Sequence, residues 1–213
     1  MTAHSSSLAQ WIQYYSRKRI VHQWTQVHLL STVPCQRVLE IGPALGLVTA
    51  LLVNAGYDVD TLDFMPRAFA QPDVRHVEAD LVDVRGSDIA GYDAILCCET
   101  LEHLDWSAVG PVLAALRASG AKYLLVSVPY MGFQIAIDFY ANGHTLRHYF
   151  SLRKLVGRKE FRREPPRGHQ WEIGYKGFPL HVWEECLRDS GWTIVRREFT
   201  EHTRSVFHLL EAA

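Results

Sequence analysis

The stretch Val38-Leu39-Glu40-Ile41-Gly42-Pro43-Ala44-Leu45-Gly46 constrains this chain more than any other. A short apolar run carries a carboxylate near its end, the chain turns on glycine, and an apolar helical run, Leu47–Ala55, begins at once. Strand, glycine turn and helix in immediate succession open a parallel βαβ unit, since a parallel neighbour is reached only through a crossover. Glycine lets the backbone approach a ligand closely, and a helix starting there turns its positive end to the same place.

The alternation continues. Asp58–Leu62, Val74–Glu78, Asp93–Cys98 and Lys122–Val128 read as strands, with Pro66 and Pro72 in the connection before the second of these. Trp106–Ser119 reads as a helix with Asp105 as its N-cap, and Leu180–Ser190 as a helix stopped by Gly191. Thr193–Phe199 and Ser205–Leu210 read as closing strands, near enough in sequence to pair antiparallel. Strands alternating with helices predict an α/β domain whose sheet is covered on both faces.

Two segments stand outside this rhythm. Residues 8–30 place Trp11, Tyr14, Tyr15, Ile20, Trp24 and Val27 at near-helical spacing, predicting one or two amphipathic helices ended by Pro34. They form a helical extension over 1–34, ahead of a domain over 35–213. Residues 130–179 are rich in aromatics and arginine, carry Pro165-Pro166, and are expected to form a mobile lid inserted in the domain.

Composition sets the class. A chain of 213 residues with 48% hydrophobic and 21% charged residues suits one well-buried domain and argues against extensive disorder. A formal net charge of −1 does not by itself advertise a nucleic-acid or membrane partner. The beginning MTAHSSSLAQW lacks the basic start and apolar stretch of a secretory signal, so a cytoplasmic protein is expected. Cys35, Cys97, Cys98 and Cys186 form no C-x-x-C pair and read as reduced thiols acting as small hydrophobes.

Asp63 ends the second predicted strand, roughly twenty residues after the glycine turn, where an acid meets ribose hydroxyls in nucleotide-binding α/β folds. At this point the chain resembles the class I S-adenosylmethionine-dependent methyltransferases over residues 35–210. Glu40-Ile41-Gly42-Pro43-Ala44-Leu45-Gly46 is similar to their acidic-x-Gly-x-Gly-x-Gly loop, with Ala44 in place of the middle glycine. Glu78-Ala79-Asp80-Leu81 resembles the block after the third strand. Tyr92-Asp93-Ala94-Ile95-Leu96-Cys97-Cys98-Glu99-Thr100-Leu101-Glu102-His103-Leu104 resembles the fourth-strand block.

The resemblance implies a doubly wound, mainly parallel seven-stranded sheet with an antiparallel final strand. It implies S-adenosylmethionine as cofactor, held by Glu40, Gly42, Pro43, Ala44, Gly46, Asp63, Phe64, Asp80, Leu81, Cys98 and Glu99. Glu40 would organise the ammonium end, Asp63 accept from the ribose and Asp80 from the adenine amine. Phe64 would pack on the adenine ring or simply join the core.

For the acceptor, Glu99 to His103 and Tyr130 lie beyond the strand ends, where ligands of open α/β sheets bind. Asn142–Ser151 resembles a segment that follows the fifth strand in small-molecule and quinone-type members. His148, with His144 second, would serve as general base, both on one face if the segment is helical; otherwise they only tie the lid down. His103, His144, His148 and His169 match no familiar ligand spacing, so no metal is expected.

Arg147, Arg153, Lys154, Arg158, Lys159, Arg162, Arg163, Arg167 and Lys176 face only Glu160, Glu164 and Glu172 in the same segment. That excess suits an anionic small-molecule acceptor, RNA or an acidic membrane surface, or is a solvated face with local ion pairs. Methyl transfer to an O or N atom of a small molecule is the expected activity. An RNA or protein methyltransferase and a non-catalytic partner subunit are the alternatives. A nicotinamide-dependent oxidoreductase fits poorly, because the first loop lacks G-x-G-x-x-G.

Overall fold

The computed structural model describes residues 8–153, 159–200 and 203–213. Helices α1 (Leu8–Tyr14) and α2 (Arg17–Leu30) precede β1 (Arg37–Ile41), α3 (Leu47–Asn54), β2 (Asp58–Asp63) and β3 (His76–Glu78). Then come β4 (Ala94–Cys98), α4 (Trp106–Ala118), β5 (Tyr123–Pro129) and a hairpin of β6 (Gln134–Ala141) and β7 (Leu146–Arg153). The chain closes with α5 (Leu180–Asp189), β8 (Trp192–Phe199) and β9 (Ser205–Ala212).

The expected doubly wound sheet forms, with seven strands in the order β3-β2-β1-β4-β5-β9-β8. β3, β2, β1, β4 and β5 pair in parallel, and β9 runs antiparallel to both of its neighbours. The central strands β4 and β5 are buried along their whole length, as their nearly continuous apolar runs require when both faces are covered. The edge strand β8 alternates instead and carries Arg196, Arg197 and Glu198 outward, which discourages pairing with another chain.

One face packs Ile41, Ile95, Val126 and Leu210 against Val109, Leu113 and Leu116 of α4 and Trp183 and Leu187 of α5. The other packs Val38, Leu96, Leu125 and Phe207 against Val48 and Leu52 of α3 and Val27 and Leu30 of α2. Fully burying one such aliphatic side chain contributes about 1.5–3 kcal/mol. The helical extension is thus half structural: α2 covers one face of the sheet as α3 does.

Several local expectations shift. The third strand is shorter than Val74–Glu78, because Val74 closes a turn onto Gln71 while Arg67 ties the loop through the carbonyls of Gln71 and Val74. Asp105 stands at the α4 N-cap but accepts from Arg163 at 3.0 Å rather than from the helix backbone.

The segment 130–179 is no uniform lid. Its first part is the β6–β7 hairpin. Its last part enters the core, with Trp171 and Ile173 fully buried. Ile173 N–H donates to Pro129 O at 3.1 Å, and Met131 N–H donates to Ile173 O at 2.7 Å. No helix among the described residues is long and apolar enough to cross a membrane.

Candidate functional site

The register aligns the carboxyl ends of β1, β2 and β4: Ile41 stands opposite Leu62 on one side and Cys97 on the other. Gly42, Asp63 and Glu99 therefore emerge along one edge of the sheet. Gly42 N–H donates to Leu62 O at 2.9 Å, which extends the β1–β2 ladder, and Gly46 N–H closes the turn onto Pro43 O at 2.8 Å. Gly42 and Gly46 hold φ of +74° and +77°; a Cβ would press on Thr100 Oγ1 at the first and on the Phe69 ring at the second. Ala44 also adopts a left-handed φ, +49°, so the substituted glycine position keeps the conformation that glycine would favour.

Glu40 is buried, and its Oε2 accepts from Thr49 Oγ1 at 2.6 Å. Burial pushes its carboxyl up to about 7, a shift the Thr49 bond only moderates. Tyr15 reaches over from the helical extension, and its hydroxyl accepts from Leu47 N–H at 3.1 Å. Burial raises that phenol to about 12. Asp63 Oδ1 accepts from Met65 N–H at 2.9 Å; burial raises this carboxyl while that bond works against it. Phe64 is largely exposed, with the Arg167 guanidinium 4.5 Å from its ring centroid. Asp80 caps a short turn by accepting from Val82 N–H at 3.2 Å, with Leu81 buried behind it.

Cys98 is buried and its thiol is raised well above its usual range, chiefly by burial, which leaves it inert as a nucleophile. Glu99 follows in a left-handed conformation, φ +51°. Burial works to raise its carboxyl, but His22 at 3.6 Å and the Ser127 hydroxyl at 3.1 Å hold it below its ordinary value.

Beyond these groups lie Glu102, His103 and His169. The turn Leu101–His103 carries the first two, and Gln170 N–H donates to Glu102 O at 2.7 Å, which brings the distant histidine alongside. His169 Nδ1 donates to Glu172 Oε1 at 2.9 Å, and Glu172 is clasped by Arg204 at 2.9 and 3.1 Å. The Glu172 bond raises the His169 imidazole, whereas burial lowers that of His103.

All of this surrounds a cavity of about 890 Å³, within the range of small-molecule sites. Glu40, Gly42, Pro43, Ala44, Asp63, Phe64, Asp80, Leu81, Cys98 and Glu99 line it; Gly46 shapes the loop from behind. His144 and His148 do not line it. They sit on the β6–β7 hairpin, His144 in its turn and His148 exposed on β7, so the helical face expected of them does not exist. A separation of four does not by itself specify a helix, and here it runs from the hairpin turn into β7. Tyr130 stays near the site through its bridge to Ile173, but its ring turns onto Phe199.

The sequence reading assigned no role to Tyr15, His22 or Arg204, all of which line the cavity together with Glu102, one of the acceptor-end candidates Glu99 to His103. Two of them come from the helical extension, which only the fold brings to the sheet edge. Glu102 carried a signal, since it lies within the fourth-strand block.

No family model matches the chain, and no curated protein matches it in sequence. Solved structures do match in fold. The methyltransferase domain of bacterial CtHen1-C superposes with a TM-score of 0.61 at 16% identity, over 92% of this chain and 100% of that one. Burkholderia thailandensis 1,6-didemethyltoxoflavin-N1-methyltransferase, bound to 1,6-didemethyltoxoflavin and S-adenosylhomocysteine, gives 0.57 at 19% identity, over 90% and 76%. Magnesium protoporphyrin IX methyltransferase from Synechocystis, with bound S-adenosylmethionine, gives 0.55 at 16%, over 92% and 81%. The fold is therefore the Rossmann-like fold of S-adenosylmethionine-dependent methyltransferases.

Proposed function

We propose that this chain is an S-adenosylmethionine-dependent methyltransferase that transfers the methyl group to an O or N atom of a small-molecule acceptor. The observation that carries the reading is one continuous cavity that runs from the glycine loop, past Asp63 and Asp80, to His103 and His169. One end offers the groups a nucleoside and an amino acid need; the other offers room for a second, smaller molecule. Bound there, the cofactor supplies a methyl group made electrophilic by its sulfonium.

The residues fit that cofactor. Gly42, which has no space for a side chain, lets the backbone approach the amino-acid end. Glu40 underlies the loop as a carboxyl that a nearby ammonium would ionise. Asp63 would accept from the ribose hydroxyls and Asp80 from the adenine amine, with Phe64 packing on the ring. The helical extension and the segment around Arg167 enclose the cavity from outside, which aligns the acceptor and excludes water. Arg19 and Arg167 on the walls favour an anionic acceptor. Alignment, rather than a base drawn from His144 or His148, is then the main device of catalysis.

Calorimetry with S-adenosylhomocysteine tests the cofactor site. Asp63→Ala should weaken binding by about 1–3 kcal/mol, the cost of leaving ribose hydroxyls without their acceptor. Unchanged affinity in a folded variant would remove Asp63 from the site. Transfer of labelled methyl to metabolite fractions tests the acceptor, and transfer to RNA or protein instead would replace that half of the reading.

A further inference from the structure

At the acceptor end, Glu102 presents an unsolved problem of charge. The side chain is wholly buried, and neither carboxylate oxygen has a hydrogen-bond partner among the described residues. Such a group is costly to bury unless something meets its charge. Glu99 and Glu172 add negative charge nearby rather than relieving it.

In their neutral forms, the two neighbouring histidines turn lone pairs on Nε2 toward the site. His103 Nδ1 lies 2.9 Å from Arg167 O, which can only accept, so Nδ1 carries the hydrogen and Nε2 is left with its lone pair. His169 Nδ1 is held in the same way by Glu172, and its Nε2 lies 3.9 Å from Glu102 Oε1, too far for a hydrogen bond. Imidazoles oriented through Nδ1 by a carbonyl and by a carboxylate are the usual support for metal-binding Nε2 atoms. One donor atom from each of Glu102, His103 and His169 lies within 4.8 Å of the other two. An ion with bonds of about 2.0–2.2 Å needs only a small inward rotation of these side chains.

We propose that Glu102, His103 and His169 hold a divalent first-row transition cation at the acceptor end of the cavity. Two imidazoles and a carboxylate suit ions such as Mn²⁺ or Zn²⁺ better than Ca²⁺ or Mg²⁺. Arg204 is committed to Glu172 and His22 to Glu99, so those local cations are already engaged. Three protein ligands leave coordination positions open. On the methyltransferase reading, acceptor oxygens would fill them; ion binding itself does not depend on that reading.

The test uses the full chain, stripped with a chelator and titrated with Mn²⁺ while the electron paramagnetic resonance signal of free ion is followed. A parallel Zn²⁺ titration follows the thermal unfolding midpoint. Wild type should take up one ion per chain and unfold at a higher temperature when loaded. Glu102→Gln and His169→Asn should each weaken uptake by about a hundredfold or more. His148→Asn, outside the cavity, should leave it unchanged. Should Glu102→Gln fail to fold by circular dichroism, His103→Asn and His169→Asn carry the test, because both rings are at least partly exposed. No uptake of either ion at millimolar concentration, or uptake equal to wild type in the folded site variants, overturns the proposal. Neither readout needs cofactor or acceptor, so failure here leaves the proposed methyl transfer standing.

Discussion

Ala44 holds a φ of +49° in the glycine loop after β1, and its side chain is exposed. A left-handed L-residue costs roughly 1–2 kcal/mol, part of which glycine would recover against its larger unfolded-state entropy. Ala44→Gly should therefore stabilise the protein by up to about 1 kcal/mol, as measured by urea unfolding, without a cavity to offset the gain. A destabilised Ala44→Gly variant would show that the strain is absent. The substitution was visible in the sequence, and so was the glycine frame around it. What was not visible was the division of roles: Gly42 and Gly46 make the close approaches, to Thr100 and Phe69, while Ala44 is exposed.

Elements were legible where their burial is periodic or complete. β1, α3, β4 and β5 declare themselves by mostly apolar runs, and β8 and β9 by their nearness in sequence. The β6–β7 hairpin did not, although Ile135, Ile137 and Phe139 alternate as a strand should. Alternation ordinarily marks a half-buried strand, yet Ile137 is 74% exposed and Phe139 68%. Without a core to face, the pattern read as an aromatic-rich lid. Trp171 and Ile173 failed for the opposite reason. They are buried by Trp106, Phe178 and Trp183, partners whose nearness no local pattern announces. The two halves of the segment should accordingly differ in local stability. In hydrogen exchange, the amides of Gln170, Ile173 and Gly174 should be protected with or without S-adenosylhomocysteine, being bonded to Glu102, Pro129 and Phe178. Hairpin amides should exchange much faster, because an isolated two-stranded ribbon is marginal in water. Equal rates in the two halves would return the whole segment to the status of a lid.

For the molecule as a whole, two buried groups on opposite sides of the fold set opposing pH dependences. Burial raises Glu40 from 4.5 to about 7, so the folded state keeps a proton that the unfolded state releases. Its contribution is complete below pH 4.5 and is lost as pH rises through 7. His208 is buried beneath Trp183, whose Nε1 donates to His208 Nδ1 at 3.2 Å, and burial lowers it from 6.5 to about 4 despite Glu184. Its contribution is complete above pH 6.5 and is lost as pH falls through 4. Each shift corresponds to about 3 kcal/mol, so between pH 4.5 and 6.5 the two slopes largely cancel. Glu40→Gln keeps an acceptor for Thr49 and removes the titration. Relative to wild type, this variant should gain up to about 3 kcal/mol between pH 5 and pH 8, read from urea unfolding of both proteins at each pH. It should also lose stability on acidification through the His208 window, a slope that Glu40 masks in wild type. A wild-type-to-variant difference that is the same at both pH values would mean that Glu40 is ionised throughout, held by a charge other than the Thr49 hydroxyl.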